Sequence, residues 1–225
     1  MALTLRQISM ELYKLPPNAK LALLNRLSYH LVQSGKQPRN EDKEEHEIDY
    51  WSRLVMNQTT AELVSSLQPE TLKVLEISGD AWGKRETFKE YKSLHFPDFD
   101  ICETALEEKF DLIIAEQVFE HLLWPYKAAR NVYEMLNPGG HFLVTTPFMI
   151  KLHPIPHDCT RWTETGLNNF LIECGFPDTS IRTGAWGNRA CALANFFDWV
   201  EYNPLTHSLK NEADVPVAVW ALAKK

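Results

Sequence analysis

The sequence is poor in the features that stabilise secreted proteins or anchor membrane proteins. Its four cysteines, Cys102, Cys159, Cys174 and Cys191, form no CxxC pair and no metal-ligand spacing. No run approaches the roughly 20 apolar residues of a membrane span, and the amino-terminal stretch interleaves charged and apolar residues too closely for the core of a signal peptide. These absences predict a cytoplasmic protein with reduced thiols and no membrane partner.

Positive charge is also scarce, because 23 lysines and arginines stand against 30 aspartates and glutamates and leave a net charge of −7. Nonspecific affinity for nucleic acid comes largely from clustered lysine and arginine, so the composition disfavours a nucleic-acid partner. Apolar residues make up 44% of the 225 positions, as in an ordinary globular protein. We therefore expect one domain with a terminal extension, and a small molecule as the substrate.

The first 47 residues differ in pattern from the remainder. Apolar residues recur at helical spacing from Thr4 to about Leu31 and are interrupted by Pro16 and Pro17, which predicts two short helices. A polar stretch over residues 33–47 then reads as a linker. We predict a helical extension with a linker over residues 1–47 and a second domain over residues 48–225. The helices could cover a pocket or form a homodimer interface, and the sequence does not choose between these roles.

Beyond residue 48, helical patterns alternate with short apolar runs. A helix is predicted from Ile48 to Leu67, a second begins at Pro125, and a third covers Glu164 to Cys174. Strands are predicted at LKVLEIS (72–78), FDLIIAE (110–116) and HFLVTTP (141–147), and the runs SIRTGAWG and VPVAVWALAK supply two more. This alternation predicts a doubly wound, mostly parallel α/β sheet.

In such sheets, ligands bind beyond the carboxyl ends of the strands. The first strand ends in EISGDAWG (76–83), where small residues let the backbone approach a ligand, although an ordinary turn has the same composition. A dinucleotide site stays open from these residues, because Asp98 lies where an acid that holds an NAD ribose is expected. The fingerprint GxGxxG is, however, absent.

Three further stretches resemble the class I S-adenosylmethionine (SAM)-dependent methyltransferases. VLEISGDAWG resembles the first motif of that family, FDLIIAEQVFEHL its fourth-strand motif with an acid–histidine pair, and LNPGGHFLVTTP its turn and fifth strand. HPIPHDCTRWTETGL is similar to a segment of a type 11/12-like subgroup. The resemblance implies a Rossmann-like sheet of seven strands with an antiparallel last strand. It also implies SAM as cofactor and methyl transfer to a small-molecule oxygen or nitrogen, such as that of a sugar or a secondary metabolite.

The resemblance further implies which residues bind the cofactor. Those of the first motif border the methionine moiety or pack the helix start, those of the third motif lie near the adenine, and those ending the fourth strand lie beneath the cofactor. The implied residues are Glu76, Ser78, Gly79, Gly83, Asp100, Cys102, Glu116 and Gln117.

Two features depart from the family pattern. Ser78 and Asp80 replace the usual glycines, and Asp80 adds a negative charge. The chain from the first motif to Phe110 is too short for the usual strand, helix and strand, so we expect that a helix is missing. The ribose-binding acid is not obvious, and His95 or Asp98 is the candidate to replace it.

Catalytic candidates follow the fourth and fifth strands of the family pattern. Methyl transfer is an in-line displacement, so holding the acceptor against the methyl carbon supplies much of the catalysis, and a base is needed only for an acceptor that must lose a proton. Imidazole titrates near neutrality, so His157 beside Asp158 is the predicted base and His121 a second candidate. His121 could instead be a capping or core residue.

The same segment supplies the predicted substrate-binding residues, His153, Arg161 and Trp162, since a planar guanidinium favours carboxylate or phosphate. Arg161 could instead pair with Asp158 to brace the loop. His153, His157 and Asp158 are also metal-ligand types, but a proline between the histidines disfavours helical ligand geometry, so no metal is predicted.

Two other classes of function remain as alternatives. The altered glycine loop would suit a methyltransferase-like protein that has lost catalysis and serves as a binding or scaffold module. A nicotinamide-dependent oxidoreductase is the other class, and the Leu-x-Pro-Gly-Gly turn argues against it.

Overall fold

The computed structural model describes residues 49–154 and 157–225. The two predicted amino-terminal helices, the linker and the homodimer interface that those helices could form lie outside the described residues, so they stay predictions, as does the division at residue 47. No helix of the described ranges is both long and apolar enough to cross a membrane.

Helices and strands alternate along the described chain as the sequence predicts. The helices are α1 Leu54–Ser65, α2 Trp82–Arg85, α3 Pro125–Met135, α4 Glu164–Glu173 and α5 Arg189–Asn195. The strands are β1 Lys73–Ile77, β2 Glu90–Leu94, β3 Phe110–Glu116, β4 Leu136–Pro147, β5 Ile181–Trp186 and β6 Ala218–Lys224. Local chemistry fixes several ends: Pro125 opens α3, and the Thr163 hydroxyl caps α4 by accepting the Gly166 N–H at 3.0 Å.

The strands form one sheet in the order β2-β1-β3-β4-β6-β5. Pairing is parallel from β2 through β4, and β6 runs antiparallel to both β4 and β5. The predicted doubly wound α/β class and the antiparallel last strand are therefore confirmed. The expected count of seven strands is not met, since the described residues contain six.

The shortfall lies between β1 and β3, as the short spacing indicated. Helix α2 has four residues, β2 has five, and residues 95–109 form turns rather than a further helix and strand. A strand of ordinary length with its crossover helix needs about 20 residues or more, and this segment does not supply them.

Both faces of the sheet are covered. One face packs Leu112 and Ile114 against Val64 of α1 and Trp82 of α2. The other packs Ile113 and its neighbours against α3 and α4 through the side chains of Val132, Leu167 and Phe170. Burial on both faces explains why β1, β3 and β4 read as continuous apolar runs rather than as alternating ones.

Candidate functional site

The strand order places a crevice between the carboxyl ends of β1 and β3. The chain runs outward from β1 to β2 and then returns to the other side of β1 to form β3. Ligands of open α/β sheets bind at this point, where the order reverses. Residues 76–83 after β1 and residues 116–117 at the end of β3 are therefore brought to the same crevice.

The turn after β1 is sharp and depends on Ser78 and Gly79. Ser78 has a φ of 57°, in the left-handed region, and its N–H donates to the Leu94 carbonyl at 2.7 Å. A Cβ on Gly79 would lie 2.2 Å from the Glu76 carboxylate, so a side chain at this position would displace that carboxylate. The left-handed region suits glycine better than serine, which is why the family pattern favours glycine at this turn.

The Glu76 carboxylate organises the turn from below. It accepts the N–H groups of Ala81 at 3.2 Å and Trp82 at 3.0 Å, and the Tyr91 hydroxyl donates to it at 2.5 Å. The side chain is almost fully buried, and this burial raises the pKa of the carboxyl above its usual range. Glu76 therefore holds the shape of the turn, and its hydrogen-bonding capacity is directed into the protein.

Gly83 and Asp80, which lie beside the turn, differ in their surroundings. A Cβ on Gly83 would lie 2.5 Å from the Tyr91 ring, so glycine allows α2 to pack on β2. Asp80, the second glycine replacement, is exposed and pairs with Lys84 at 3.1 Å. The negative charge of Asp80 is thus offset by a lysine one helical turn away and faces solvent.

Glu116 forms the opposite wall of the crevice. Its carboxylate accepts the indole N–H of Trp82 at 2.9 Å and pairs with Arg85 at 3.2 Å, so side chains from the first motif reach across to β3. Gln117 follows with a φ of 56°, and its N–H donates to the Thr145 carbonyl at 3.0 Å. A residue in the left-handed backbone conformation therefore follows β1 and another follows β3, and both turn the chain at the crevice.

The residues expected near the adenine and ribose lie beyond β2. Asp100 caps a turn by accepting the Cys102 N–H at 2.8 Å, and burial raises the pKa of the Cys102 thiol. At the end of β2, the Ser93 hydroxyl donates to the Gly79 carbonyl and lies 2.9 Å from His95 Nε2. A hydroxyl and an imidazole thus stand where the family pattern has a ribose-binding acid.

Histidines from two loops meet at the same edge of the sheet. Glu120 and His121 lie in a 3₁₀ turn, Phe119–His121, shortly after β3, whereas His153 follows β4. The rings of His121 and His153 meet edge to face with centroids 4.8 Å apart. The Glu120 carboxylate is fully buried beside both rings, at 3.6 Å from His121 and 3.8 Å from His153.

Asp158 lies close to this histidine pair but is bonded elsewhere. It makes a two-pronged ion pair with Arg161 and accepts the His153 N–H at 2.9 Å. The Arg161 guanidinium lowers the pKa of Asp158 below its usual range. Arg161 therefore braces the loop, which is the alternative role considered above. His157, which was expected to act beside Asp158, instead places its backbone carbonyl 2.5 Å from His121 Nδ1.

The tryptophans of the described residues occupy different environments. Trp162 is buried and packs against Phe170 at a centroid distance of 5.1 Å, so it is a core residue. Trp82 is fully buried and Trp186 nearly so, whereas Trp124 is exposed. Of these four tryptophans, Trp82 is tied to the crevice by its indole N–H, which donates to Glu116.

Sequence reasoning did not identify Tyr91, Arg85 or the carboxylate of Glu120 as parts of the site. Tyr91 and Arg85 carry no motif, because their contacts arise only when β2 and α2 fold back onto the first turn. Glu120 gave a signal, since it forms the acid–histidine pair of FEHL with His121. Its complete burial, however, depends on the loop after β4, which folds over it and donates the Cys159 N–H to its backbone carbonyl.

A cavity of about 300 Å³ lies at the opposite edge of the sheet, lined by Leu72, Asp111 and His141 among others. That edge holds the amino ends of the parallel strands, where doubly wound sheets do not bind their ligands. Burial lowers the pKa of His141 there, because it disfavours the charged imidazole. We therefore assign the functional site to the crevice and not to this cavity.

Comparison with known proteins agrees with the fold and the motifs. Residues 57–142 match the model of a family described as a methyltransferase domain. No curated protein matches the chain significantly in sequence. Among solved structures, 1,6-didemethyltoxoflavin-N1-methyltransferase of Burkholderia thailandensis, bound to 1,6-didemethyltoxoflavin and S-adenosylhomocysteine, aligns with a TM-score of 0.51 at 12% identity, over 94% of this chain and 91% of that one.

Two further structures align over most of their length with lower scores. A SAM-dependent methyltransferase of Mesorhizobium loti gives a TM-score of 0.49 at 16% identity over 73% of this chain and 96% of that one. The N-methyltransferase NodS of Bradyrhizobium japonicum, in complex with S-adenosylhomocysteine, gives 0.47 at 17% over 83% and 93%. The match of residues 57–142 to a methyltransferase domain, together with the fold shared with the Burkholderia thailandensis enzyme, confirms the resemblance to class I methyltransferases, a class whose methyl donor is SAM.

Proposed function

We propose that this chain is a SAM-dependent methyltransferase that transfers a methyl group to an oxygen or nitrogen of a small molecule. The observation that carries the proposal is the crevice at the switch point of the sheet, where the first methyltransferase motif and the Glu116 wall face each other. A sugar or a secondary metabolite belongs to the proposed acceptor class. The net charge of −7 supports a small molecule over nucleic acid, since affinity for nucleic acid comes largely from clustered lysine and arginine.

The residues of the crevice fit a cationic nucleoside ligand. Glu116 supplies a carboxylate for an ammonium or sulfonium group, and the Ser78–Gly79 turn brings the backbone to the opposite side. Ser93 and His95 supply hydroxyl and imidazole groups for a ribose, and the Asp100–Cys102 turn lies further along the same loop. When bound, SAM supplies an electrophilic methyl group on a positively charged sulfur.

The residues of the chain would act by positioning and by excluding water. Glu76 holds the turn rigid from beneath, and Trp82 seals the floor of the crevice with its buried indole. Because a methyl displacement depends on alignment, a rigid floor contributes by limiting the positions open to the reacting atoms. For an acceptor that must lose a proton, we propose the exposed imidazole of His157 as base, with His121 as the second candidate, and Asp158 as the residue that holds their loop through Arg161.

A second candidate function rests on the contacts of Glu116. Its carboxylate is already bonded to Trp82 and Arg85, so a ligand must compete with an ion pair and a hydrogen bond of the chain itself. This arrangement would suit a methyltransferase-like protein that has lost cofactor binding and acts as a binding or scaffold module. The two functions differ in one measurable property, the affinity for the cofactor.

Calorimetric titration with SAM and with S-adenosylhomocysteine separates the two. The enzyme predicts saturable binding of both nucleosides with one site per chain, and no binding of NAD. Glu116→Gln keeps the size of the side chain and removes its charge. It should therefore weaken the binding of SAM more than that of S-adenosylhomocysteine, whose sulfur is uncharged. Absence of binding by either nucleoside to the folded wild-type chain would overturn the enzyme and favour the scaffold.

The remaining parts of the proposal concern the cellular location and the domain boundaries. All four cysteines are free thiols, and burial raises the pKa of Cys174 to about 11 and that of Cys191 to about 12, which makes both unreactive. Free thiols are consistent with the proposed cytoplasmic location. We retain residues 48–225 as the proposed methyltransferase domain and residues 1–47 as an extension.

A further inference from the structure

The Glu120 carboxylate is the most unusual polar group of the described residues. Its side chain is fully buried, and neither of its oxygens accepts a hydrogen bond from any residue of 49–154 or 157–225. An isolated buried carboxylate is strongly unfavourable, so such groups are paired, protonated or bound to a metal. A proton or a cation is therefore expected at this carboxylate.

Two imidazoles face this carboxylate with the same ring nitrogen. Nε2 of His121 lies 3.6 Å from Glu120 Oε1, and Nε2 of His153 lies 3.8 Å from the same oxygen. One potential ligand atom from each of the three residues lies within 4.8 Å of the other two. These distances exceed those of direct hydrogen bonds, so the three groups stand close together without bonding directly to one another.

The Nδ1 atoms of both histidines face hydrogen-bond acceptors, and this determines whether the Nε2 atoms carry a lone pair for a metal. His121 Nδ1 lies 2.5 Å from the His157 carbonyl, and His153 Nδ1 lies 3.3 Å from the Asp158 carboxylate and 3.4 Å from the Lys151 carbonyl. An Nδ1 that donates to an acceptor leaves a lone pair on Nε2 in the neutral ring. Metal-binding histidines in proteins have this arrangement, with the outer nitrogen held by a carbonyl or a carboxylate.

We propose that Glu120, His121 and His153 form a binding site for a divalent transition-metal ion of the Zn²⁺ type. Two imidazoles and a carboxylate are a ligand set that Zn²⁺ uses in catalytic sites, and related ions accept the same donors. Ligands about 2.0–2.2 Å from a tetrahedral metal lie roughly 3.4 Å apart, so the 3.6 and 3.8 Å pairs need inward shifts of a few tenths of an ångström. The remaining pair, the ligand atoms of the two histidines, lies within 4.8 Å and needs to close by at most about 1.4 Å. This set differs from the one rejected on sequence grounds and shares only His153 with it.

Three protein ligands leave one coordination position for water or another oxygen ligand. The site lies at the carboxyl edge of β3 and β4, the edge that also holds the crevice. The ion proposed here does not depend on SAM binding, since its ligands are separate from the crevice residues Glu76 and Glu116. An ion bound to His121 would leave His157 as the candidate base. Metal binding and SAM binding can therefore succeed or fail independently.

The test is a metal titration of the full chain after treatment with a chelator. Calorimetry with Zn²⁺ should show one site per chain, and Co²⁺ should give the visible absorption bands of a low-coordinate site. Glu120→Gln and His153→Ala should each lower the Zn²⁺ affinity at least about 100-fold, and Asp158→Asn, which acts through His153, about 10-fold to 100-fold. The matched control is His207→Asn, because His207 stacks on Trp51 and does not belong to the group of Glu120, His121 and His153, so its removal should leave the affinity unchanged.

The outcomes decide between a metal and a proton. If Glu120 is instead balanced by protonated imidazoles, the wild-type chain binds neither Zn²⁺ nor Co²⁺ at this site, and the proposal is wrong. Binding that survives unchanged in a folded Glu120→Gln or His153→Ala variant, as judged by circular dichroism, also overturns it. The wild-type titration and the folded member of the pair suffice if one variant does not fold.

Discussion

Replacing Glu76 tests whether one buried carboxylate maintains the turn of the first motif. Glu76→Ala removes the acceptor of three donors, the N–H groups of Ala81 and Trp82 and the hydroxyl of Tyr91. A buried donor left without a partner costs about 1–3 kcal/mol, and water can reach those of Ala81 and Tyr91, which are only partly buried. We expect a loss of about 2–5 kcal/mol in the free energy of unfolding.

Urea unfolding followed by circular dichroism measures this loss, and a thermal melt should show a fall of roughly 4–20 °C for a chain of this size. Tyr91→Phe removes one of the three donors and should lower the free energy of unfolding by about 1 kcal/mol. Glu62→Ala, at an exposed position of α1, is the control and should change the stability by less than about 0.5 kcal/mol. Glu76→Ala with the stability of the control would refute the role assigned to this carboxylate.

Three further substitutions test neighbouring contacts. Trp82→Phe removes the indole donor to Glu116 and should lower the free energy of unfolding by about 1.5–3 kcal/mol in urea, because the lost bond is to a charged group; an unchanged midpoint would contradict the contact. Gly83→Ala places a Cβ 2.5 Å from the Tyr91 ring and should cost about 1–3 kcal/mol by differential scanning calorimetry, whereas a stabilised variant would show that α2 has room. The pKa of Asp158 is lowered in the folded chain, so its ionised form stabilises the fold above the unfolded pKa of about 3.9, and this contribution is lost as the pH falls through the lower, folded value. Unfolding measured from pH 7 to pH 2 should therefore show the wild-type advantage over Asp158→Asn, about 1–3 kcal/mol at neutral pH, shrinking below about pH 4, and an advantage independent of pH would contradict the pairing with Arg161.

The sheet was predictable because its central strands are buried on both faces. FDLIIAE and HFLVTTP read as strands from their apolar runs alone, and both form strands in the structure. Strand β2 was harder to predict, because EYKSL is half exposed and lacks such a run. The expected seventh strand was wrong, since it came from the family pattern, although the short spacing before Phe110 already argued for a loss in that region.

The site was predictable where it depends on position along a strand, and not where it depends on loops folding back. The ends of β1 and β3 follow from topology, so Glu76 and Glu116 could be placed at the crevice. Which partner each charged group takes could not be read from spacing. Asp158 is adjacent to His157 in sequence but bonds to Arg161, because the guanidinium offers two donors to one carboxylate.

The central claim is that the crevice between β1 and β3 binds the nucleoside of the methyl donor, and a crystal structure of the chain grown with S-adenosylhomocysteine tests it most directly. We predict electron density for the nucleoside between the Ser78–Gly79 turn and Glu116, with the ribose beside Ser93 and His95. Density confined to the cavity near Asp111 and His141, or a crevice without nucleoside density at saturating ligand, would contradict the account.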